Sequence, residues 1–197
     1  MNFELELVNI SVLNIGYAKT IHRWGGTDIS SPFARLYYVR SGCAKLHFPD
    51  RDIELQPGYM YLVPSFMPHS YVCEPGFEFY YMFIYERYGD QTSFFDIYTF
   101  PYMVKGNEAS ELLFANFCHL YPQLNLPYSS AEDFNAHPAY RDYARRYMGM
   151  ERYEKMQLQG FVWIVASYFM KHSQKRSQNI CQKLGFLGVG DDGAFAD

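Results

Sequence analysis

Cysteine is scarce and scattered in this chain. Cys43, Cys73, Cys118 and Cys181 are the only four in 197 residues. No two stand in a Cys-x-x-Cys pair, and no dense disulfide framework of the secreted kind can be drawn from them. Plain buried or surface thiols are therefore strongly preferred over disulfides or a metal site, and a reducing, cytoplasmic location is expected. Long apolar runs are missing as well. An unbroken run such as Phe161 to Ala166 falls far short of the ~20 residues a membrane span needs. Met1 to Leu13 alternates acidic with apolar residues where a signal peptide would show a basic segment and then a continuous apolar one, so no membrane partner is expected. Positive charge is also short: 17 Lys and Arg stand against 21 Asp and Glu, a net charge of -4. That balance offers no overall basic field for phosphates, which argues against nucleic-acid binding by this chain alone. No internal repeat of solenoid or propeller period is visible.

What the chain has in excess is aromatic side chains, 19 Tyr and 17 Phe. That exceeds what a core requires and suits a binding pocket or an interface, and a buried phenol wants a hydrogen-bond partner. The length allows one domain with a helical extension. Strand patterns come first. Phe3 to Ile21 reads as two strand-like pieces, and Pro32 to Arg40 alternates with Arg35, Tyr37 and Val39 on one face and Leu36, Tyr38 and Arg40 on the other. Ser41-Gly42 and Pro49-Asp50-Arg51-Asp52 are turns of hairpin length.

The stretch Pro57 to Tyr71 organises the rest. A Pro-Gly turn launches an apolar strand, a proline-bounded turn follows, and a second strand opens on His69. With a side-chain period of two, His69, Tyr71 and Cys73 share a face. In the next strand, Phe77 to Glu86, one face carries Phe77, Phe79, Tyr81, Phe83 and Tyr85 and the other Tyr80, Met82 and Ile84. Both faces are apolar, which predicts a central strand buried on both sides. The period then changes to helical over Asn107 to Leu120, with Asn107 or Ser110 as caps, and over Glu151 to His172, with a short basic, tyrosine-bearing turn or helix at Tyr140 to Tyr147. Ser173 to Asp197 is polar, then glycine-rich and acid-ended, and reads as a flexible tail.

Glycine, proline and histidine in this order resemble the cupin pattern. The likeness is closer to the N-terminal sensor domains of AraC-type bacterial transcription regulators. It is carried by Ser31 to Gly42, Leu55 to Pro64, Pro68-His69-Ser70-Tyr71 and Phe79 to Glu86, with the helices in the right place after them. The resemblance covers most of Leu7 to Lys171. It implies a mainly β fold with C-terminal helices, in which a cupin-like double-stranded β-helix (jelly-roll) barrel is followed by a helical dimerisation region. On that reading residues 1–100 form the effector-binding barrel, 101–172 the helical dimerisation and linker region, and 173–197 the tail.

The resemblance further implies a non-enzymatic domain that binds a small-molecule effector, a sugar among the candidates, and forms a homodimer, with no cofactor. Carried onto this chain, the pocket falls to His69, Tyr71, Phe79 and Tyr81, with Arg23 or Trp24 as partners on the arm side. Arg35 joins them because a buried arginine in a barrel mouth can hold an anionic effector as readily as it can pair with a barrel carboxylate. Each has a plainer reading beside it: His69 as a turn histidine, Phe79 and Tyr81 as core aromatics. On the last helix, Phe161, Ile164 and Val165 are the candidates for a dimer seam, with core packing as the competing role.

Full AraC-type regulators read DNA through two helix-turn-helix units. Ser173 to Asp197 is too short and glycine-rich for these, so DNA contact is expected only through a helix-turn-helix domain not present in this chain. The competing class is a metal-dependent cupin enzyme, an isomerase or dioxygenase. It would need His47, Glu54 and His69 to converge as ligands, although His47 and Glu54 do not reproduce the cupin His-x-His and Glu spacing.

Overall fold

A computed structural model describes residues 8–88, 93–126 and 139–176. The first eight strands are β1 (Val8–Lys19), β2 (Trp24–Ile29), β3 (Ala34–Ser41), β4 (Ala44–Phe48), β5 (Arg51–Leu55), β6 (Tyr59–Val63), β7 (His69–Cys73) and β8 (Glu78–Tyr88). They pair as one long hairpin whose tip is the turn between β4 and β5. All pairs are antiparallel: β4 with β5, β3 with β6, β2 with β7 and β1 with β8. The hairpin is then rolled up so that β8 also lies beside β3 and β7 beside β4. Two sheets result: β1-β8-β3-β6, extended at the β6 edge by residues Met103–Lys105, and β2-β7-β4-β5. Eight strands wound in this order make a jelly-roll barrel, which removes most of the edges a flat sheet would leave open.

The turns are set by residues whose backbone they require. Gly42 joins β3 to β4 at φ 81°, and any Cβ there would lie 2.6 Å from the Cα of Phe77. Gly58 holds φ 81° at the entry to β6. Both are left-handed conformations that cost a side-chain-bearing residue about 1 kcal/mol or more. Thr20 closes the barrel end between β1 and β2: its hydroxyl donates to the Glu74 carbonyl at 2.6 Å and accepts from the Phe77 N–H at 3.0 Å.

Beyond the barrel come α1 (Phe94–Ile97), β9 (Tyr98–Thr99), β10 (Met103–Lys105), α2 (Glu108–Leu120), a 3-10 turn (Pro122–Leu124), α3 (Ala139–Gly149), α4 (Arg152–Met170) and β11 (Gln174–Lys175). Asn107 caps α2, its side chain accepting from Ser110 N–H while the Ser110 hydroxyl accepts from Asn107 N–H. The strand pattern of residues 103–105 is too short to stand out against the helices around it, yet these residues pair with β6 and extend the first sheet. Gln174 and Lys175 pair with β9. The remainder of the expected tail, 177–197, lies outside the described residues.

The two apolar faces of β8 serve two separate cores. Tyr80, Met82 and Ile84, with Leu36, Tyr38 and Met60, face outward and are covered by Phe114 and Phe117 of α2 and Leu158, Phe161, Val162, Val165 and Phe169 of α4. Phe117 and Phe161 stack with centroids 4.4 Å apart and planes 9° from parallel. The other face, Phe79, Tyr81 and Phe83, turns into the barrel with Val39, Tyr61, Leu46, Leu55 and Cys73. A buried aromatic contributes roughly 1.5–3 kcal/mol, so the strand is held from both sides. Its central, doubly buried position is the one its sequence pattern predicts.

Candidate ligand-binding cavity

The barrel interior is not filled. A cavity of about 520 Å3 lies between the two sheets, within the range of small-molecule sites. The strand period builds its walls. Arg35 and Tyr37 project from β3, Phe79, Tyr81 and Phe83 from β8, and Leu46, Tyr71 and Cys73 from the facing sheet. The β1–β2 corner supplies the rim, where Ile21 is 78% exposed and Trp24 leans inward.

Aromatic rings make most of the contacts. Trp24 meets Tyr71 edge to face at 5.6 Å and stacks on Phe79 at 6.5 Å. Phe79 also stacks on Phe77 at 4.8 Å and meets Tyr37 edge-on at 5.8 Å. These spacings are those aromatic pairs prefer. The indole Nε1 of Trp24 is buried and has no hydrogen-bond partner among the described residues.

Arg35 is the polar feature of the wall. It is 1% exposed, and its guanidinium lies over the rings of Phe83 at 5.0 Å and Phe33 at 5.3 Å. One terminal nitrogen donates to the Ser31 hydroxyl at 2.7 Å, while Nε has no partner among the described residues. Burial pushes the neighbouring Tyr37 phenol up, and the Arg35 charge opposes that shift. Cation–ring contacts stabilise the guanidinium in part, each by about 0.5–2 kcal/mol.

Tyr81 lines the cavity with its ring but commits its hydroxyl elsewhere. The phenol donates to the Asn125 side-chain oxygen and accepts from the Leu126 N–H at 2.9 Å, and burial raises its pKa. This fastens the residues after the 3-10 turn over the barrel, where Asn125 and Leu126 join the lining. Gly16 of β1 makes the contact possible, because a Cβ there would overlap both the Tyr81 hydroxyl and the Asn125 oxygen.

Of the seven residues expected at the site, the structure brings six to one cavity: Arg23, Trp24, Arg35, Tyr71, Phe79 and Tyr81. Arg23 is at the exposed rim, ion-paired with Glu74 at 3.4 Å. His69 stands apart from the lining. Its Nδ1 donates to the Met67 carbonyl at 2.9 Å across the turn, its ring packs near Phe48 at 6.2 Å, and its Nε2 is buried without a partner. Burial, helped by the charge of Arg35, lowers its pKa to about 4. Sequence reasoning passed over Tyr37, Phe77, Phe83, Asn125 and Leu126. The parity of β3 already placed Tyr37 beside Arg35, whereas nothing near Asn125 signalled contact with a strand 44 residues away.

The residues that would hold a cupin metal do not fit one. His47 is on the solvent face of β4, its Nδ1 2.8 Å from Asp52, and Glu54 pairs with Lys45 at 3.7 Å on the same outer face, while His69 is buried in its turn. Among the described residues no three His, Cys, Asp or Glu side chains come together as a ligand set, and a divalent ion needs at least three. On the helical side, Phe161 and Val165 are 1% and 0% exposed within the chain's own core, and Ile164 is 46% exposed.

Fold and cavity together define a jelly-roll barrel with an aromatic-lined cavity and a helical layer on one sheet. No protein-family profile matches the chain, and no curated protein does. Solved structures share part of the fold. A cupin superfamily protein from Desulfitobacterium hafniense is 21% identical over 39% of this chain and 66% of its own, just under two thirds of its length, with a TM-score of 0.30. KdgF from Halomonas sp. is 14% identical over 43% of this chain and 82% of its own, TM-score 0.31. An HTH_3 family transcriptional regulator from Vibrio cholerae is 16% identical over 40% and 51%, TM-score 0.28. At these values the assignment to the jelly-roll class rests on the strand order above.

Proposed function

We propose that this chain is a ligand-sensing and dimerisation domain of an AraC-like regulator, non-enzymatic, which binds a small molecule inside the barrel. In this reading α4 forms the homodimer seam, and DNA contact belongs to a helix-turn-helix domain outside the chain. The supporting observation is the cavity itself: about 520 Å3, walled by aromatic rings from both sheets and joined through the Tyr81–Asn125 contact to the 3-10 turn that follows α2. A binding event among those rings has a direct mechanical route to the helices.

The test is a thermal-shift screen against sugars, organic acids and other small metabolites. A compound at about a hundred times its dissociation constant stabilises the folded state by about 2.7 kcal/mol, a readily measured rise in melting temperature. The rise is expected to be lost in Phe79→Ala, which opens the ring wall, and no rise with any compound class would remove the sensing role.

A further inference from the structure

Two buried donors in the cavity wall are unused. Arg35 Nε and Trp24 Nε1 are both buried, both belong to lining residues, and neither has a hydrogen-bond partner among the described residues. Such atoms are rare in folded proteins and call for a complement. Among the described residues the lining also contains no Asp or Glu, although it includes Lys19, Arg23, Arg35 and Lys45. Three of these cations are already ion-paired at the surface, Lys19 with Glu78, Arg23 with Glu74 and Lys45 with Glu54. Arg35, the deepest, pairs with no carboxylate among the described residues. A buried charge without a counter-charge is costly, and a bound anion removes that cost.

We propose that the cavity takes a small organic carboxylate with an apolar, ring-bearing body, its carboxylate on Arg35 and its ring among Trp24, Tyr71 and Phe79. The inference rests on the sensing role above and sharpens it. The guanidinium fork matches a carboxylate in geometry and charge, and Ser31 and the rings of Phe33 and Phe83 already hold the guanidinium in place. The second donor, on Trp24, can serve the same carboxylate or an acceptor on the body. A sugar fits less well, because the described lining holds no carboxylate, the strong acceptor its hydroxyls would use, and a neutral ligand leaves the buried Arg35 charge uncompensated.

The experiment uses three probes, 3-phenylpropionate, its neutral amide and D-glucose. Binding is read by calorimetry and by Trp24 emission in a Trp163→Phe background, where Trp24 is the one indole left of the two in the chain. The acid is expected to bind about tenfold to a hundredfold more tightly than the amide, the range of a charge-assisted hydrogen-bonded pair. Arg35→Gln should abolish that preference, Arg35→Lys should keep it at lower affinity, and Trp24→Phe, read by calorimetry, should weaken the acid several-fold. Because Arg35→Gln alters a buried site, its fold is checked by circular dichroism, and the Lys and Trp24 variants carry the test if it unfolds. Equal affinity for acid and amide, or binding of glucose alone, overturns the anion assignment and leaves the sensing role standing. If all three probes leave both signals unchanged and the thermal-shift screen is also silent, the sensing role falls too.

Discussion

His69 and Arg35 show how burial gives residues of similar chemistry different duties. Both are buried, but Arg35 stands at the cavity wall, whereas His69 fixes a turn and has its pKa lowered by burial. The lowered pKa of His69 has a thermodynamic consequence. Above its ordinary value of 6.5 the ring is neutral in both folded and unfolded chains. As pH falls below that value the unfolded chain takes up a proton that the folded chain refuses until about pH 4, so stability contributed by this residue is lost over that window. The loss amounts to about 3 kcal/mol. Glu86 acts in the opposite sense: burial raises its pKa, so its contribution falls as pH rises. The clean measurement is therefore a difference. Urea unfolding of the parent and of His69→Leu, followed from about pH 4.5 to 7, should give a parent that gains stability with pH relative to the variant. Parallel curves would mean that His69 titrates normally.

At the scale of elements, β1, β8 and the 3-10 turn meet at one point. Gly16, Tyr81 and Asn125 occupy it, and β1 carries a register shift between Val12 and Asn14 that lets Leu13 face the barrel while Val12 and Ile15 face the helices. Asn14 secures the same turn, its side-chain amide donating to the Leu124 carbonyl at 3.1 Å. Gly16→Ala is expected to push the turn off the barrel and to cost about 1–3 kcal/mol, the range for overpacking a tight site. In a Tyr81→Phe background, where the hydroxyl that the new methyl would strike is gone, the same substitution should cost less. A double-mutant cycle by urea unfolding measures that coupling, and strictly additive effects would show that the three groups do not act together.

Considered as a whole, the molecule has one sheet buried between barrel interior and helices and the other facing solvent. The helical layer is itself two-faced. Phe161 and Val165 seal the core, whereas Tyr153 at 63%, Met156 at 66% and Ile164 at 46% exposure lie along the outer side of α4. Three large apolar side chains in a row on a helix are what a partner surface requires. The proposed dimer should accordingly dissociate in Ile164→Glu with its unfolding curve little changed, as read by sedimentation. Phe161→Ala should instead cost about 3–5 kcal/mol through the cavity it leaves, whatever the oligomeric state. An Ile164→Glu chain that remains dimeric would place the seam elsewhere.

Much of this was legible in the residues alone. Alternation over Pro32 to Arg40 and Phe77 to Glu86 determined which side chains share a face, and Gly42 and Pro57-Gly58 determined where the chain turns. Asn107 determined where α2 begins, because these are local consequences of backbone geometry and short-range hydrogen bonding. The strands-then-helices order was readable from periodicity and the aromatic excess suited a pocket or an interface, while the barrel itself was what the family resemblance implied. Local pattern could not say which of the two apolar faces of β8 would be packed solid and which left hollow. That depended on α2 and α4, distant in sequence, arriving to cover Tyr80 and Met82. Nor could it choose between turn and pocket for His69, bring Asn125 to Tyr81, or show that Arg35 would be buried with no carboxylate beside it among the described residues. Those outcomes come from closing a long hairpin on itself, which joins residues far apart in the chain and decides by exclusion of water which polar groups are left for a ligand to satisfy.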